Sequence, residues 1–471
     1  MIFLKRNSAQ PLYDQIFENL RQKIVCGEMK KNSTLKPIRI LAEELNVSNN
    51  TVNRAYQQLL SEGYISSIPG SGYYVEDIET IPTEKFSEKT GKKKKSQQKK
   101  VSFKYDFNFE AIKSDCFPWT KWRKYMQEAM LDEASDGKIA YECNKGNLAL
   151  RKSLCAYING SRGVKCDLEQ IIICAGTQYA VDIISTILPN EKNIVAFEDP
   201  GFNGMRQVFL NKGNTIKGIP MNDAGLDLDI LEASDFDVLY LTPSHQFPTG
   251  TTTSLTHRLK ILDLAEKKDA YIIENDYDNE FLYGKEPLPS IQSLDQNQSV
   301  IYVSTLSKVL SPSLRCAYFV LPHDLLQIYE EKYRYYHSAL PTYNQVALAN
   351  FIKDGHLERH VRKMAFLNRK KCGVFSKLMM QNLRKEVTLF PVPAGSHILI
   401  TVNGCKNQET FIEKMAEKGL KIYSTKGYWI DQKKAPENLF MFGYNALEED
   451  KIEEACTAFY RVIKEIVQEM C

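Results

Sequence analysis

Apolar residues near the start of the chain recur at the spacing of an amphipathic helix. Four aliphatic residues lie four positions apart: Leu12, Ile16, Leu20 and Ile24. This spacing predicts a helix with one buried face, which Gly27 can end. A second, shorter helical pattern covers residues 39–45, and residues 46–47 make a turn. Ser48 then suits the N-cap position of a third helix that runs to about Ser61.

The third predicted helix is polar on one side and is followed by a hairpin pattern. Short polar residues at a helix N-terminus can reach base edges and phosphates. Residues of this kind are Asn49, Asn50, Thr51, Asn53 and Arg54. Two strand patterns then flank residues 69–72, a flexible tip able to lie against a DNA backbone. This order predicts a winged helix-turn-helix over residues 8–77, although a three-helix interaction domain with a solvated face also fits.

A lysine-rich stretch separates this module from the rest of the chain. Residues 85–100 hold eight lysines and one acid, with almost nothing apolar. Such a composition cannot bury a core, so residues 78–104 are predicted to be a linker. Clustered lysines would also attract DNA phosphates without sequence preference, and a plain solvated tether is the equal alternative.

From residue 105 onward, apolar runs of strand length alternate with helical patterns. The strand-like runs cover residues 170–174, 193–197, 238–241, 271–273, 300–303 and 317–320, and helical patterns cover 177–188, 201–212 and 255–268. Buried strands that alternate with helices predict an α/β domain over residues 105–471, with a mostly parallel sheet covered on both faces. In such folds ligands bind at the carboxyl ends of the strands.

Composition restricts the class of protein further. The chain has 471 residues, enough for two or three domains, with 43% hydrophobic and 25% charged residues and a net charge of only +3. Eleven cysteines without a Cys-x-x-Cys pair indicate free thiols in a reducing compartment and no metal site. We expect no signal peptide and no membrane span, because no apolar run approaches ~20 residues. The expected location is the cytoplasm.

One lysine stands among small hydroxyl residues directly after a predicted strand. Lys308 follows Thr305 and Ser307 and precedes Arg315 by seven residues. An amine in such a place suits a Schiff base, and hydroxyls with a guanidinium suit a dianionic phosphate. Taken alone, the segment favours a lysine in a polar turn between a strand and a loop, and only the rest of the chain reverses that preference.

Other candidate residues also follow predicted strands. Residues 176–178 open a helix and would place backbone N–H groups at its positive end, which is a phosphate cradle. Phe202 could stack on a planar ring, although a core aromatic is its default interpretation. His245 lies in a turn, where a histidine is usually a surface residue. Residues 274–278 present three acids and a phenol after another strand.

These segments, in this order, resemble fold-type I aminotransferases, the enzymes that depend on pyridoxal 5'-phosphate. Residues 141–163 match their N-terminal helix region. The first module resembles GntR-type regulators at residues 45–48, 62–63 and 70–72. Together, residues 8–445 resemble the MocR family, in which a GntR-type winged helix-turn-helix is fused to an aminotransferase-like domain with a smaller C-terminal α+β subdomain. Residues 242–248 are particularly similar to that family.

The resemblance implies a role for individual residues. Lys308 would form the internal aldimine and would be the catalytic residue of any remaining activity. The other cofactor contacts would be Gly176, Thr177, Gln178, Phe202, Asn275, Tyr277, Thr305, Ser307 and Arg315. The DNA contacts would be Arg39, Ser48, Asn49, Asn50, Thr51, Asn53, Arg54, Gly70, Ser71 and Gly72. The resemblance also implies a homodimer with a head-to-tail arrangement, double-stranded promoter DNA as a partner, and a small-molecule effector.

Three departures from the aminotransferase pattern lower the expected rate of amino-acid turnover. Asn275 stands where these enzymes place an aspartate against the pyridinium nitrogen. Phe247 replaces the asparagine of their Asn-Pro-x-Gly motif. Met441 takes the place of the arginine that grips the substrate carboxylate, leaving Arg206, Lys426 or His397 as substitutes. The sequence therefore favours a regulator that uses pyridoxal phosphate as a sensor, with a working aminotransferase and a regulator without cofactor as alternatives.

Overall fold

The computed structural model describes residues 4–6, 10–77, 103–135, 140–278, 280–281, 288–383, 385–390 and 395–470. The chain divides into two compact units, Met1–Lys100 and Val101–Cys471. Most of the predicted lysine-rich linker, residues 78–102, lies outside the described residues.

The first unit is a three-helix module followed by a hairpin. Its elements are α1 (Leu12–Val25), α2 (Ile38–Leu45), α3 (Asn49–Ser61), β1 (Ile65–Ile68) and β2 (Gly72–Val75). Ser48 caps α3 as predicted, because its side chain accepts a hydrogen bond from the Thr51 N–H. Asn46 takes a left-handed conformation at the end of α2, which permits the tight turn between α2 and α3. The predicted winged helix-turn-helix is therefore confirmed as a fold.

The core of this unit is formed by the residues that the apolar spacing predicts. Ile16, Leu20 and Ile24 from α1 pack against Val52 and Leu59 from α3, and all five are buried. Burying an aliphatic side chain of this size contributes about 1.5–3 kcal/mol. The β1–β2 hairpin pairs Ile65 with Val75 across the strands, so the wing is attached to the same core.

The second unit contains the remaining elements. Its helices are α4 (Trp119–Ser135), α5 (Leu148–Arg162), α6 (Thr177–Ile187), α7 (Asn203–Asn211), α8 (Leu228–Ala233), α9 (Leu255–Lys267), α10 (Ile291–Leu294), α11 (His323–Lys332), α12 (Thr342–Lys353), α13 (His356–Leu383), α14 (Gln408–Glu417) and α15 (Ile452–Met470). Its strands are β3 (Tyr105–Asp106), β4 (Ile171–Cys174), β5 (Ile194–Asp199), β6 (Thr215–Asn222), β7 (Gly225–Leu226), β8 (Val238–Leu241), β9 (Tyr271–Asn275), β10 (Val300–Thr305), β11 (Ala317–Val320), β12 (Val387–Leu389), β13 (His397–Val402), β14 (Leu420–Lys421), β15 (Tyr423–Ser424) and β16 (Leu439–Gly443).

A mixed sheet of eight strands, counted over the described residues, forms the centre of this unit. The strand order is β4-β11-β10-β9-β8-β5-β6-β7. The pairs from β10 to β6 are parallel, whereas β11 runs antiparallel to both β4 and β10. β4 therefore points in the same direction as β10, and the carboxyl ends of β4, β10, β9, β8 and β5 meet at one edge. The predicted mostly parallel sheet is confirmed.

Helices cover both faces of this sheet because its strands are apolar on both sides. One apolar cluster joins the sheet to residues of α4, α5 and α12, and another joins it to residues of α6, α7 and α11. Neighbouring strand residues such as Tyr302 and Val303 are fully buried but belong to different clusters, as expected for alternating side chains.

A smaller C-terminal sheet follows the large one. Its strand order is β12-β13-β16-β15, and Phe375 of α13 and Phe459 of α15 pack against it. The N-terminal strand β3 pairs in parallel with β14, so the start of this unit is joined to its end. This pairing places Phe107 in the C-terminal core and leads the chain toward Phe109.

None of the helices in the described ranges is both long and apolar enough to cross a bilayer. The same ranges contain no group of three or more His, Cys, Asp or Glu side chains arranged to hold a metal ion.

Candidate functional site

A cavity of about 270 Å³ opens at the edge where the parallel strands end. It is lined by Phe109, Glu110, Thr177, Gln178, Phe202, Met205, Thr242, Phe247, Asn275, Tyr277, Thr305, Ser307, Lys308, Pro312 and Arg315. Nine of the ten cofactor contacts implied by the sequence are in this set, and the tenth, Gly176, adjoins it. The structure thus brings together ten implied cofactor contacts that are up to 139 positions apart in the chain, from Gly176 to Arg315.

The N-terminus of α6 and Arg315 form one end of the cavity. Gly176 is the N-cap of α6 and has φ +109°, a conformation that other residues rarely adopt. A Cβ at Gly176 would lie 2.2 Å from Nη2 of Arg315, so only glycine lets the guanidinium approach the helix end this closely. Backbone N–H groups and a guanidinium are the donors that bind a phosphate.

Thr305, the last residue of β10, and Ser307, just after that strand, differ in whether their hydroxyl groups already have hydrogen-bond partners. Thr305 donates its hydroxyl to the Cys316 carbonyl at 3.0 Å and accepts the Ser307 N–H at 3.1 Å. Thr305 therefore shapes the turn. The Ser307 hydroxyl is buried and has no partner among the described residues, so Ser307 is the hydroxyl available to a ligand.

Asn275 and Tyr277 face the cavity from the end of β9. The Asn275 Nδ2 donates to the Tyr240 hydroxyl at 2.7 Å, whereas its Oδ1 has no partner in the described part of the chain. The Tyr277 hydroxyl is buried and likewise without a described partner. Burial, and then the charge of Asp278, raises the pKa of Tyr277 well above its ordinary value, so this phenol stays protonated and can donate.

Asp276, between these two residues, turns to the other side of the sheet. Its carboxylate accepts from Nε of Arg162 at 2.6 Å and from the Tyr302 hydroxyl at 2.8 Å, and all three side chains are buried. The alternation of side chains along an extended strand explains this arrangement. Asp276 therefore points away from the cavity.

Lys308 and the aromatic residues complete the cavity. The Lys308 Nζ lies 3.4 Å from the Phe109 carbonyl oxygen and 5.6 Å from the centre of the Phe109 ring. Phe202 packs edge-on against Phe247 with ring centres 5.4 Å apart. A Cβ at Gly204 would lie 2.7 Å from the Phe202 ring, so Gly204 lets that ring lie flat against the start of α7.

His245 is buried, which corrects the expectation of a surface histidine. Its ring stacks beside Tyr277 with centres 6.0 Å apart, and its Nδ1 lies 3.9 Å from an Asp278 carboxylate oxygen. Burial, and then His397 and Lys308, lowers the pKa of His245 well below its ordinary value, so the ring is neutral. The burial of His245 has no local signal, because Gly395, which packs directly against the His245 ring, comes from a distant part of the chain.

The predicted DNA contacts of the first unit are all at least partly exposed. Arg39, Ser48, Asn49, Asn50, Asn53, Arg54, Gly70, Ser71 and Gly72 are exposed, and Thr51 is half-buried. Arg54 lies over the ring of Tyr13 at 4.0 Å, a cation–π contact that orients its guanidinium. Tyr13 was not a candidate from sequence, because α1 and α3 meet only in the folded unit.

Two family models match the chain in the same order as the two units. Residues 12–75 match the bacterial regulatory proteins of the gntR family, and residues 110–459 match aminotransferase class I and II. A regulator of Bacillus subtilis (strain 168), the uncharacterized HTH-type transcriptional regulator YdeL, is 33% identical over 454 residues, which is 96% of each chain. The probable rhizopine catabolism regulatory protein MocR of Rhizobium meliloti is 31% identical over 417 residues, or 85% of this chain and 83% of that protein.

This chain is a member of the MocR family. It is a transcriptional regulator with an aminotransferase-like domain. A solved archaeal alanine:glyoxylate aminotransferase has the same fold as the second unit, with a TM-score of 0.71 and 22% identity over 78% of this chain and 92% of that one. The aminotransferase class I and II fold implies dependence on pyridoxal phosphate.

In this MocR-family chain, the three residues considered as substitutes for the carboxylate-binding arginine have other partners. Arg206 donates to the carbonyls of Gly427, Tyr428 and Trp429 at 3.2–3.4 Å. Lys426 pairs with a Glu437 oxygen at 2.8 Å. Burial lowers the pKa of His397 to about 4, so that ring is neutral.

The position of the missing arginine is apolar. Met441 is fully buried on β16, in a cluster that includes Phe109, Phe247 and Leu399. Phe247, the second departure from the aminotransferase pattern, contacts the Tyr428 ring edge-on at 4.7 Å. The two departures Met441 and Phe247 therefore lie together among aromatic and aliphatic side chains.

Several cavity residues carried no signal in the sequence of this regulator. Phe109 reaches the site through the pairing of β3 with β14, which no local pattern reveals. Thr242 lies within the segment that resembles the MocR family, yet it was assigned no role. Its hydroxyl donates to Glu198 at 2.6 Å, and burial raises the pKa of Glu198 to about 7.

Proposed function

We propose that this protein is a DNA-binding transcriptional regulator whose aminotransferase-like domain, residues 105–471, binds pyridoxal 5'-phosphate through Lys308. The bound cofactor serves as a sensor for a small molecule, which is an amino acid, an amine or a B6 vitamer. Promoter DNA is bound by the winged helix-turn-helix of residues 8–77, and residues 78–104 link the two domains. A regulator of this kind acts in the cytoplasm as a homodimer, and the family resemblance suggests a head-to-tail pair.

One observation supports the cofactor most strongly. Three buried polar atoms in the cavity, Asn275 Oδ1, Tyr277 Oη and Ser307 Oγ, have no partner among the described residues. An unmet buried polar group costs about 1–3 kcal/mol, so three in one cavity indicate a polar ligand. They match three different parts of pyridoxal phosphate, because they suit its ring nitrogen, its phenolic oxygen and its phosphate.

The remaining contacts fit the same cofactor. Arg315 and the N–H groups after Gly176 offer further donors to the phosphate, and Phe202 offers a ring face or edge to the pyridine. Lys308 projects into the same cavity from the turn after β10. Pyridoxal phosphate supplies an aldehyde that links to amines and a ring that withdraws electrons from the linked carbon. Cofactor binding is therefore the chemistry for which this cavity is equipped.

The cofactor assignment is tested by loading purified protein with pyridoxal phosphate. We expect a Schiff-base absorption band, and reduction by borohydride should fix the label on Lys308. Lys308→Ala should abolish the fixed label. Lys145→Met is the control, because Lys145 is a buried lysine that is paired with Glu169 and Glu330 and does not line the cavity. A label on a different lysine would refute the assignment.

DNA binding is proposed from the exposed polar surface of α3 and the wing. Asn53→Ala should cost about 1–3 kcal/mol at one base position if Asn53 contacts a base, whereas loss of a phosphate contact weakens all sequences equally and lowers the salt slope. Arg21→Ala is a control on α1, where Arg21 pairs with Glu18. Promoter binding that survives deletion of residues 1–77 would contradict the proposal.

We propose sensing because the cavity is better suited to linking an amine to the cofactor than to converting that amine into a product. Asn275 supports electron storage in the ring less well than an aspartate, and no arginine among the described residues replaces Met441 as a carboxylate ligand. A screen of amino acids, amines and B6 vitamers should reveal ligands that change both the absorption band and DNA affinity. Fast multiple turnover with a keto acid as acceptor would instead establish a working aminotransferase.

A further inference from the structure

Asn275 is held by a tyrosine that does not itself reach the cavity. The Asn275 Nδ2 donates to the Tyr240 hydroxyl at 2.7 Å, and both side chains are buried. Asn275 lines the cavity, whereas Tyr240 is not among the lining residues. Since the amide nitrogen is bound on the tyrosine side, the amide presents its oxygen, Oδ1, to the cavity.

The surroundings of Tyr240 favour its role as a hydrogen-bond acceptor. Burial raises the pKa of Tyr240, and the nearby Glu198 carboxylate adds to this effect, so the phenol keeps its proton. The protonated phenol oxygen has two lone pairs, and one of them accepts the Asn275 N–H. The Tyr240 ring is fixed on β8 by stacking on Phe197, with centres 4.9 Å apart and planes at 28°.

We propose that Tyr240 is a positioning residue that orients Asn275 so that this site selects the protonated form of the cofactor's ring nitrogen. The inference rests on the proposed binding of pyridoxal phosphate. An amide oxygen accepts a hydrogen bond from a ring N–H, but it repels the lone pair of an unprotonated ring nitrogen. A turned amide would present its N–H instead and would select the unprotonated ring.

This arrangement differs from the carboxylate of an aminotransferase in one respect. A carboxylate presents an acceptor oxygen in every orientation and adds a negative charge. Asn275 is neutral, and its effect on the ring depends on which end of the amide faces the cavity. The hydroxyl of Tyr240 therefore matters in the native chain and becomes dispensable when residue 275 is an aspartate.

The test uses full-length protein loaded with pyridoxal phosphate that carries ¹⁵N in its ring, because the ¹⁵N resonance distinguishes a protonated from an unprotonated nitrogen. We expect a protonated ring in the wild type near neutral pH. In Tyr240→Phe, the midpoint of the ring titration should fall by about one to two pH units, the equivalent of one hydrogen bond to a charged group. In an Asn275→Asp background, Tyr240→Phe should leave the resonance unchanged.

Two further variants keep the result interpretable. Tyr329→Phe is the matched control, because Tyr329 is buried on α11 and donates its hydroxyl to the Asn144 carbonyl away from the cavity. It should lower stability without moving the ring resonance. If Tyr240→Phe does not fold, Asn275→Leu removes both amide atoms and should move the titration in the same direction.

The outcomes separate this inference from the proposed function. Failure to load the cofactor, with no absorption band, would overturn both. A loaded wild type with an unprotonated ring at neutral pH would overturn the inference alone. Two other results would also overturn the inference alone. One is a ¹⁵N resonance in Tyr240→Phe that equals that of the wild type. The other is an effect of Tyr240→Phe that is equally large in the Asn275→Asp background.

Discussion

The buried pair Arg162–Asp276 is expected to hold the ligand-facing end of β9 in place. Arg162 donates through Nε and Nη2 to the two Asp276 oxygens, at 2.6 and 3.2 Å. It also donates to the Ser244 hydroxyl at 2.7 Å and to the Leu288 carbonyl at 2.8 Å. Asp276 lies between Asn275 and Tyr277, so its position determines how those two residues meet the cavity.

Arg162→Met would leave the Asp276 carboxylate buried without its cation. Removing one member of a buried ion pair costs about 3–5 kcal/mol, because the remaining charge is uncompensated. The double variant Arg162→Met with Asp276→Leu should recover more than half of this loss, since a buried ion pair replaced by apolar residues is often neutral. Both variants should still bind pyridoxal phosphate more weakly than the wild type.

Urea unfolding of the full chain can be followed in the second unit alone. All three tryptophans of the chain, Trp119, Trp122 and Trp429, belong to that unit, so their fluorescence reports its transition. Arg362→Met is the control, because Arg362 pairs with Glu358 on an exposed face of α13, where such pairs contribute about 0.2–1 kcal/mol. A loss below about 1 kcal/mol for Arg162→Met, or no recovery in the double variant, would refute this account of the pair.

Three further changes have defined outcomes. Gly176→Ala should weaken pyridoxal phosphate binding at least about tenfold (1.4 kcal/mol) in equilibrium titrations, because the added Cβ would meet Arg315. Gly213→Ala is the control and should not affect binding, because Gly213 also has a positive φ, +86°, but open space around its Cβ position. Ser48→Ala should remove about 1 kcal/mol of cap stability, visible as faster amide hydrogen exchange in the first turns of α3. Burial raises the pKa of Glu198 to about 7, so the folded state binds the carboxyl proton more tightly than the unfolded chain does. The stabilisation that comes from this protonation is therefore lost as pH rises from about 5 to 7. Glu198→Gln should flatten that part of the pH dependence of Tm.

The elements that carry local signals could be predicted from the sequence. The N-cap at Ser48, the helix start at Thr177 and the starts of β9 and β10 all depend on neighbouring residues and match the structure, whereas both strands end two residues later than predicted. Because the strands are parallel, a residue that follows one strand must lie near a residue that follows the next. This rule alone brings Asn275 and Lys308 to one edge.

Contacts between distant segments could not be predicted in this way. Phe109 enters the cavity because β3 pairs with β14, more than 300 positions away. His245 is buried because Gly395 lies directly over it, and Arg54 is oriented by Tyr13 from a different helix. In each case the side chain itself is unremarkable in the sequence, and its role is created by a partner that no local pattern indicates.

Under the proposed function, we expect the departures from the aminotransferase pattern to slow turnover more than they weaken binding, which would be the physical basis for a sensor. Linking an amine to the cofactor requires an aldehyde and a nearby lysine, whereas turnover also requires a fixed carboxylate and a ring that stores electrons. Met441 and Phe247 lie in one apolar cluster, and Asn275 has a neutral amide oxygen without a described partner where the resemblance places a carboxylate. Under the proposed function, we expect a linked ligand to persist long enough to favour one conformation of the domain over another. Since a ligand shifts populations only by its difference in affinity for two states, a stable link is worth more to a regulator than a fast reaction.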